Sequence, residues 1–183
     1  MTLYVRIVPA PIGPLTLVVD EDDALTQIFF SPVAEGEPLP APLAAPEQPL
    51  RWDDARGERA AAELAEYFAG RRREFGVPLA WHGTPFQRTV WAELRKIPWG
   101  VTISYGELAQ RIGSPQAARA VGRANATNPI PIIVPCHRVV GADGTLTGFA
   151  GGLAVKERLL RLEGFALPHQ TMLPLDALAA DRP

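Results

Sequence analysis

Along the N-terminal half, short apolar runs alternate with turn-forming breaks. Leu3 to Val8 and Leu15 to Val19 concentrate β-branched and aromatic residues, and Pro9 to Pro14 separates them. With Leu25-Thr26-Gln27-Ile28-Phe29-Phe30 they predict a small antiparallel sheet. The acidic run Asp20-Glu21-Asp22-Asp23 reads as a solvated turn, and the Pro-, Ala- and Glu-rich stretch Pro32 to Pro49 as a long surface loop. From Arg56 to Gly70 the period changes. Ala60, Leu64, Tyr67 and Phe68 fall at helical spacing, and Gly70 is a stop signal. Arg71-Arg72-Arg73 reads as a charged helix end, and Val77 to Gly83 as a linker. The chain therefore divides into an N-terminal α/β domain (1–83), a C-terminal domain (84–166) and a tail (167–183).

The C-terminal pattern is mostly helical. Thr84 can cap a helix, and Pro85 suits its first turn. Phe86, Val90, Trp91 and Leu94 make its apolar stripe, and Pro98-Trp99-Gly100 ends it. Ser104 caps a second helix carrying Tyr105, Leu108, Ala109 and Ile112. Gly113-Ser114-Pro115 turns the chain into a third helix, Gln116 to Ala126. Two helices joined by a short Gly-containing turn are a helix-turn-helix pattern. The run Ala117-Ala118-Arg119-Ala120-Val121-Gly122-Arg123-Ala124 is almost all small residues with two arginines. Close packing inside the domain and close approach to an outside surface both account for it. Farther on, Gly141-Ala142-Asp143-Gly144 predicts a hairpin turn, Gly148 to Gly152 a flexible loop, and Leu153 to Glu163 a last helix.

Composition narrows the class without naming an activity. An apolar content of 47% and a charged content of 21% over 183 residues suit a globular protein with a substantial core. No apolar run approaches the length of a membrane span, and the first residues lack the pattern of a signal peptide. One cysteine excludes an intramolecular disulfide framework and a cysteine-rich zinc site, and an unpaired thiol suits a reducing cytoplasm. The net charge is −2, yet residues 84–164 hold 10 Lys/Arg against 5 acids, so that segment carries +5 and the remainder −7. The asymmetry is compatible with nucleic-acid contact by one half, and equally with an ordinary solvated surface.

The candidate chemistry sits at Pro135-Cys136-His137-Arg138-Val139. Cys136 is the single cysteine, and His137 is one of three histidines. Ahead of them runs Asn128-Pro129-Ile130-Pro131-Ile132-Ile133-Val134, whose prolines stiffen the backbone. A buried small hydrophobe and a nucleophile are both open readings of Cys136. A nucleophile needs a base, since an unperturbed thiol is only a few per cent thiolate at neutral pH. Consecutive residues of an extended segment point to opposite faces, so His137 would need a bridging water or a sharp turn to serve Cys136.

Residues 3–166 resemble the O6-alkylguanine-DNA alkyltransferases, also called methylated-DNA–protein-cysteine methyltransferases. The motifs are Ser104-Tyr105-Gly106-Glu107-Leu108-Ala109, Ala118-Arg119-Ala120-Val121-Gly122, Asn128-Pro129, Pro135-Cys136-His137-Arg138-Val139, Gly151-Gly152-Leu153-Ala154-Val155-Lys156-Glu157 and Leu162-Glu163-Gly164. Looser matches lie at Pro11-Ile12-Gly13-Pro14-Leu15 and Tyr67-Phe68-Ala69-Gly70-Arg71. The resemblance implies an α/β (α+β) fold, with a ribonuclease H-like N-terminal domain and a mostly helical C-terminal domain holding the helix-turn-helix. It implies that Cys136 takes the alkyl group from O6-alkylguanine in double-stranded DNA, with no cofactor and no metal. O4-alkylthymine stays open as a second substrate.

Roles follow from the same resemblance. Glu163 orients His137, which deprotonates Cys136 through a water, and a nearby imidazolium lowers the thiol pKa. Asn128 braces the turn that presents Cys136, and Tyr105 donates a proton toward the leaving guanine. The carbonyls of Cys136 and Val139 accept from the exocyclic amine, the Ala150 amide faces the base oxygen, and Phe149 and Gly151 complete the base site. Arg119 fills the gap left by the flipped base from a helix in the minor groove, where Ala117, Ala118, Gly122 and Arg123 also lie. Ser114 is placed for a phosphate. The implied protein is a cytoplasmic monomer. Phe149 stands where many members have tyrosine, and Cys136 separates the chain from alkyltransferase-like proteins, which carry tryptophan there. A cysteine hydrolase with a Cys-His-Glu triad and a non-enzymatic helix-turn-helix regulator remain rival readings; the first requires turnover, and the second requires DNA binding indifferent to Cys136→Ser.

Overall fold

The computed structural model describes residues 1–39 and 49–166; part of the expected Pro32–Pro49 loop and the whole 167–183 tail lie outside the described residues. Three strands, β1 (Leu3–Val8), β2 (Leu15–Val19) and β3 (Leu25–Phe29), form where the β-branched runs predict them. A short fourth strand, β4 (Leu50–Trp52), extends the sheet in the order β3-β2-β1-β4. β4 runs parallel to β1, with Leu3 opposite Leu50 and Val5 opposite Trp52. The sheet is therefore mixed, antiparallel in its first three strands. Three residues after Pro49 carry too little alternation to signal a strand; only β1's unpaired edge makes them one.

Every residue of β2 and β3 is buried, so both faces of the sheet are covered. One face packs Leu17, Val19, Leu25 and Ile28 under Leu64 and Tyr67 of α1 (Glu58–Phe68). The other closes over Val5, Val18, Phe29, Val33 and Leu39. The first part of the expected Val77–Gly83 linker is docked instead: Leu25 N donates to Pro78 O (2.8 Å) and Ala80 N to Leu25 O (2.9 Å). A single apolar cluster then continues from Leu17 and Tyr67 into Trp91, Leu108, Val121 and Leu159 of the C-terminal half.

That half begins at α2 (Pro85–Leu94). Thr84 Oγ1 accepts from Gln87 N while Gln87 Oε1 accepts from Thr84 N, so two orphan amides of the helix start are satisfied reciprocally. Ser104 and Glu107 repeat the device at α3 (Tyr105–Arg111). The expected third helix is split: Pro115–Ala117 forms a tight 3-10 turn, and α4 (Ala118–Ala126) follows it. Strands β5 (Ile103–Ser104) and β6 (Val139–Val140) pair in parallel, which places the start of α3 beside the cysteine motif. The turn at 141–144 forms, with Gly144 N donating to Gly141 O (2.9 Å), but no second strand returns along β6, so it is not a hairpin. The last helix, α5 (Leu153–Leu162), ends at Glu163. Among the described residues, no helix is long and apolar enough to cross a membrane.

Gly100 shows how closely α5's end is fitted. It lies at φ +73°, and a Cβ there would sit 2.8 Å from the Glu163 carbonyl oxygen. Gly113 has a similar φ of +71° but nothing within 4 Å of the same position. Gly113→Ala should cost about 1 kcal/mol of backbone strain, and Gly100→Ala about 2 kcal/mol or more, because strain and a backbone clash add. Equal losses in urea unfolding would show that the close approach carries no energy.

Candidate active site

The cysteine motif is presented by a turn, not by a strand. Asn128 Nδ2 donates to Val134 O (2.7 Å), and Asn128 Oδ1 accepts from Ile130 N (3.1 Å), so one side chain ties both arms of the segment. Ile132 at φ +75° is a β-branched residue in the left-handed region, a costly conformation that the surrounding turn enforces. Pro135, at φ −80° and ψ 63°, is the centre of an inverse γ-turn, closed by Cys136 N donating to Val134 O (2.7 Å). Cys136 to Arg138 then form one 3-10 turn. The sharp turn demanded by the geometry of two adjacent residues is thus present.

All the motif's side chains are buried. Cys136 is 4% exposed and His137 0%. His137 Nε2 lies 2.8 Å from Glu163 Oε1. Arg138 grips the same carboxylate bidentately, Nε to Oε2 at 2.8 Å and Nη2 to Oε1 at 2.9 Å, and gives Nη1 to the Ile97 carbonyl (2.6 Å). Tyr67 of α1 donates its hydroxyl to Oε1 (2.8 Å), and Gly100 N donates to Oε2 (3.3 Å). Burial alone would raise the Glu163 pKa; the hydrogen bonds from His137 and Arg138 and the Arg138 charge hold it at about 2. The carboxylate is ionised.

On its neighbours burial prevails and disfavours the charged form. It lowers the His137 pKa, and the Arg138 and Lys156 charges add to this against the pull of Glu163, so the imidazole is neutral. A neutral ring that donates Nε2–H to Glu163 keeps Nδ1 as a lone-pair acceptor, and Nδ1 has no hydrogen-bond partner among the described residues. Burial pushes the Cys136 thiol up to about 11, opposed by a hydrogen bond with Asn128 and by the Lys156 charge. The expected lowering of the thiol pKa is therefore reversed. With no imidazolium at hand, the desolvation of the thiolate dominates.

Two contributors escape sequence reasoning. Lys156, in the Gly151–Glu157 motif, carries no role by sequence; it is fully buried and donates to Val139 O (2.7 Å) and Thr147 O (2.9 Å). Burial lowers its pKa to about 8, against an upward pull from Cys136. Its position on α5 beside other buried residues was a weak signal, since a lysine is seldom fully buried. Tyr67 sat among apolar helix positions, and its hydroxyl was the one hint that it reached a polar partner.

The remaining predicted residues fall into two groups. Tyr105, at the start of α3, has its hydroxyl 2.9 Å from Thr147 Oγ1. Val139 is buried, and the Phe149 ring stands edge-on to His137 at 6.4 Å between centroids. Ala150 is exposed, while a Cβ on Gly151 would meet Phe30 at 2.9 Å, so that glycine is needed for packing against the N-terminal sheet. Arg119 and Arg123 are both exposed on α4 and border a groove of about 480 Å³ with Thr84, Phe86 and Gln87. Gly122 is half-buried, and a Cβ there would lie 3.7 Å from the Tyr105 ring. Ser114 precedes the 3-10 turn rather than α4 itself, and Ala117 and Ala118 are half-buried. Among the described residues, no group of three or more His, Cys, Asp or Glu is placed to hold a metal ion.

The electrostatics set an acid-side prediction. A carboxylate lowered from its ordinary 4.5 to about 2 contributes stability that is complete above pH 4.5 and is lost as pH falls through 2. The drop is worth about 3 kcal/mol. A histidine held neutral adds a loss of the same sign below its ordinary range. Urea unfolding should therefore show wild-type stability falling more steeply than that of Glu163→Gln between pH 4.5 and 2. Parallel curves would refute the assignment of an ionised Glu163.

Residues 3–81 match the family described as "6-O-methylguanine DNA methyltransferase, ribonuclease-like domain", and residues 85–165 match "6-O-methylguanine DNA methyltransferase, DNA binding domain". A methylated-DNA–protein-cysteine methyltransferase of Methanosarcina acetivorans is 47% identical over 162 residues, covering 88% of this chain and 99% of the relative. One of Mycobacterium tuberculosis is 45% identical over 175 residues, covering 93% and 98%. The crystal structure of Mycobacterium tuberculosis OGT in complex with DNA superposes with a TM-score of 0.76 at 45% identity, covering 87% of this chain and 92% of that one. With both domains of one family matched in order and full-length relatives near half identity, the chain belongs to the 6-O-methylguanine DNA methyltransferase family.

Proposed function

We propose that this protein repairs DNA by direct reversal, moving the alkyl group of O6-alkylguanine onto Cys136 once per molecule. The observation that carries the reading is the buried set of one thiol, one neutral imidazole whose Nδ1 has no partner among the described residues, and one ionised carboxylate on the far ring nitrogen. Sγ bonds to the alkyl carbon as the carbon–O6 bond breaks, and that electron pair leaves on the guanine. The thiol proton passes through a bridging water to His137 Nδ1, and Glu163 stabilises the imidazolium that forms. Tyr105 supplies a proton toward the base, which makes guanine the better leaving group. The product thioether is inert, so the protein is consumed and needs no cofactor.

Around this chemistry Asn128 keeps the turn in shape, and the carbonyls of Cys136 and Val139 receive the exocyclic amine. Lys156 occupies one lone pair of the Val139 oxygen and leaves the second available. The Ala150 amide meets the base oxygen, with Phe149 and Gly151 at its edge. A base inside the duplex cannot meet a buried thiol, so it must be extruded, at a cost of a few kcal/mol. Arg119, exposed on α4, enters the gap from the minor groove, and Arg123 and the Thr84 groove follow the backbone. Ser114, Ala117, Ala118 and Gly122 lie along the same approach. We place the division between the two domains at 83/84, with the protein acting as a monomer in the cytoplasm, where its thiol stays reduced.

Incubation with a duplex containing O6-methylguanine should add one methyl mass to the protein, on Cys136, and Cys136→Ser should abolish transfer while retaining DNA binding. Repeated turnover by single molecules would sink this reading in favour of a hydrolase. His137→Gln should slow transfer at pH 7, with the rate recovering as pH climbs toward the thiol's pKa of about 11; a rate indifferent to that substitution would remove His137 from the pathway.

Arg119→Ala should slow repair in a duplex by about thirtyfold, the effect of losing roughly 2 kcal/mol of the extrusion energy. Transfer from free O6-benzylguanine needs no flipping and should change less than threefold, or about 0.6 kcal/mol. Equal slowing of the two reactions would make Arg119 a support of the fold.

A further inference from the structure

Thr147 lies in the loop between β6 and α5 and is half-buried. Its backbone is held from inside: the Lys156 ammonium, itself fully buried, donates to Thr147 O at 2.9 Å and to Val139 O at 2.7 Å. The carbonyls of the cysteine motif and of this loop are thereby clamped to one cation on α5. The Thr147 side chain then reaches α3, where Oγ1 stands 2.9 Å from the Tyr105 hydroxyl. Gly122 of α4 lies beside the Tyr105 ring, where a Cβ would make an ordinary contact at 3.7 Å. Thus a residue that no motif singled out connects the proton donor of the proposed reaction to the buried ammonium beside the thiol.

Each hydroxyl of this pair can donate or accept. In one arrangement the phenol donates to Thr147 and its proton is unavailable to a base. In the other, Thr147 donates to the phenol oxygen, and the phenol proton is free to point elsewhere. Only the second arrangement is compatible with Tyr105 giving its proton to guanine, and it places a donor on the oxygen where negative charge builds. We propose that Thr147 is a positioning residue for Tyr105: its hydroxyl turns the phenol proton toward the bound base and stabilises the oxygen that loses it. The proton moves from Tyr105 to the base as the carbon–O6 bond breaks, and Thr147 keeps its own. The inference rests on alkyl transfer to Cys136 with Tyr105 as donor.

The test is a cycle of variants measured at single turnover on a duplex carrying O6-methylguanine, by intact mass, with duplex affinity measured alongside. Thr147→Val keeps the shape and removes the hydroxyl; it should slow transfer about tenfold, the effect of one hydrogen bond to a developing charge, with unchanged affinity. Thr147→Ser should restore the rate to within about twofold. In a Tyr105→Phe background, Thr147→Val should cause no further loss, because no phenol remains to be oriented. A tenfold loss that persists in the Tyr105→Phe background, or that Ser fails to restore, would overturn the role and leave Thr147 a loop-packing residue. So would a folded Thr147→Val protein that transfers at the wild-type rate. Absence of transfer by the wild-type protein would instead overturn the alkyltransferase reading on which this one stands.

Discussion

The structure depends on one buried carboxylate. Glu163 takes hydrogen bonds from Tyr67 in the N-terminal half, from the Gly100 amide, from His137 and twice from Arg138. Breaking such a pair would leave an uncompensated charge in a desolvated site, which is strongly destabilising, so these segments are committed to one another. The same bonds decide chemistry. Because Glu163 accepts a hydrogen bond from Nε2–H, the imidazole is oriented with Nδ1 as its basic nitrogen. Fold and mechanism share a single group, and Gly100, having no Cβ, lets the chain pass the Glu163 carbonyl.

Desolvation explains why the charges are arranged as they are. The ionised Glu163 is matched by Arg138 at hydrogen-bond distance, while Lys156 has two carbonyls as its described hydrogen-bond partners. A buried ammonium bonded to carbonyls is poorly compensated, which is why its pKa falls to about 8. Forming a thiolate at Cys136 would supply the missing negative charge. In the resting protein the thiol and imidazole are both neutral, and the site stores the capacity to hold an ion pair. It does not hold that pair permanently.

The presenting turn solves a different problem. A thiol aimed at a substrate must hold its direction inside an apolar core, where backbone groups have no water to bond. Asn128 supplies the missing partners from a side chain, the Pro135 γ-turn reverses the chain within three residues, and Ile132 accepts a strained conformation. Phe30 and Phe149 seal the outer side at 5.2 Å between ring centroids, which brings the N-terminal sheet to the edge of the site.

Much of this was legible in the chain. Alternating runs located β1 to β3, and the helix punctuation of Thr84-Pro85, Ser104 and Gly70 located helix starts and a stop, because these signals act through bonds within a few residues. The motif residues Cys136, His137, Asn128, Glu163 and Tyr105 were legible too, through resemblance. What the sequence could not express was anything requiring two distant segments to meet. β4 exists only because β1 offers an edge, and the docking of Val77 to Ala80 follows from β3 in the same way. Tyr67's bond spans the two halves of the chain, and Lys156 and Thr147 acquire meaning only when α5, the 141–152 loop and α3 are brought together. The pKa of Cys136 is the sharpest case. A neighbouring histidine suggested a lowered value, but burial, a property of the packed whole, pushes it up and keeps that histidine neutral.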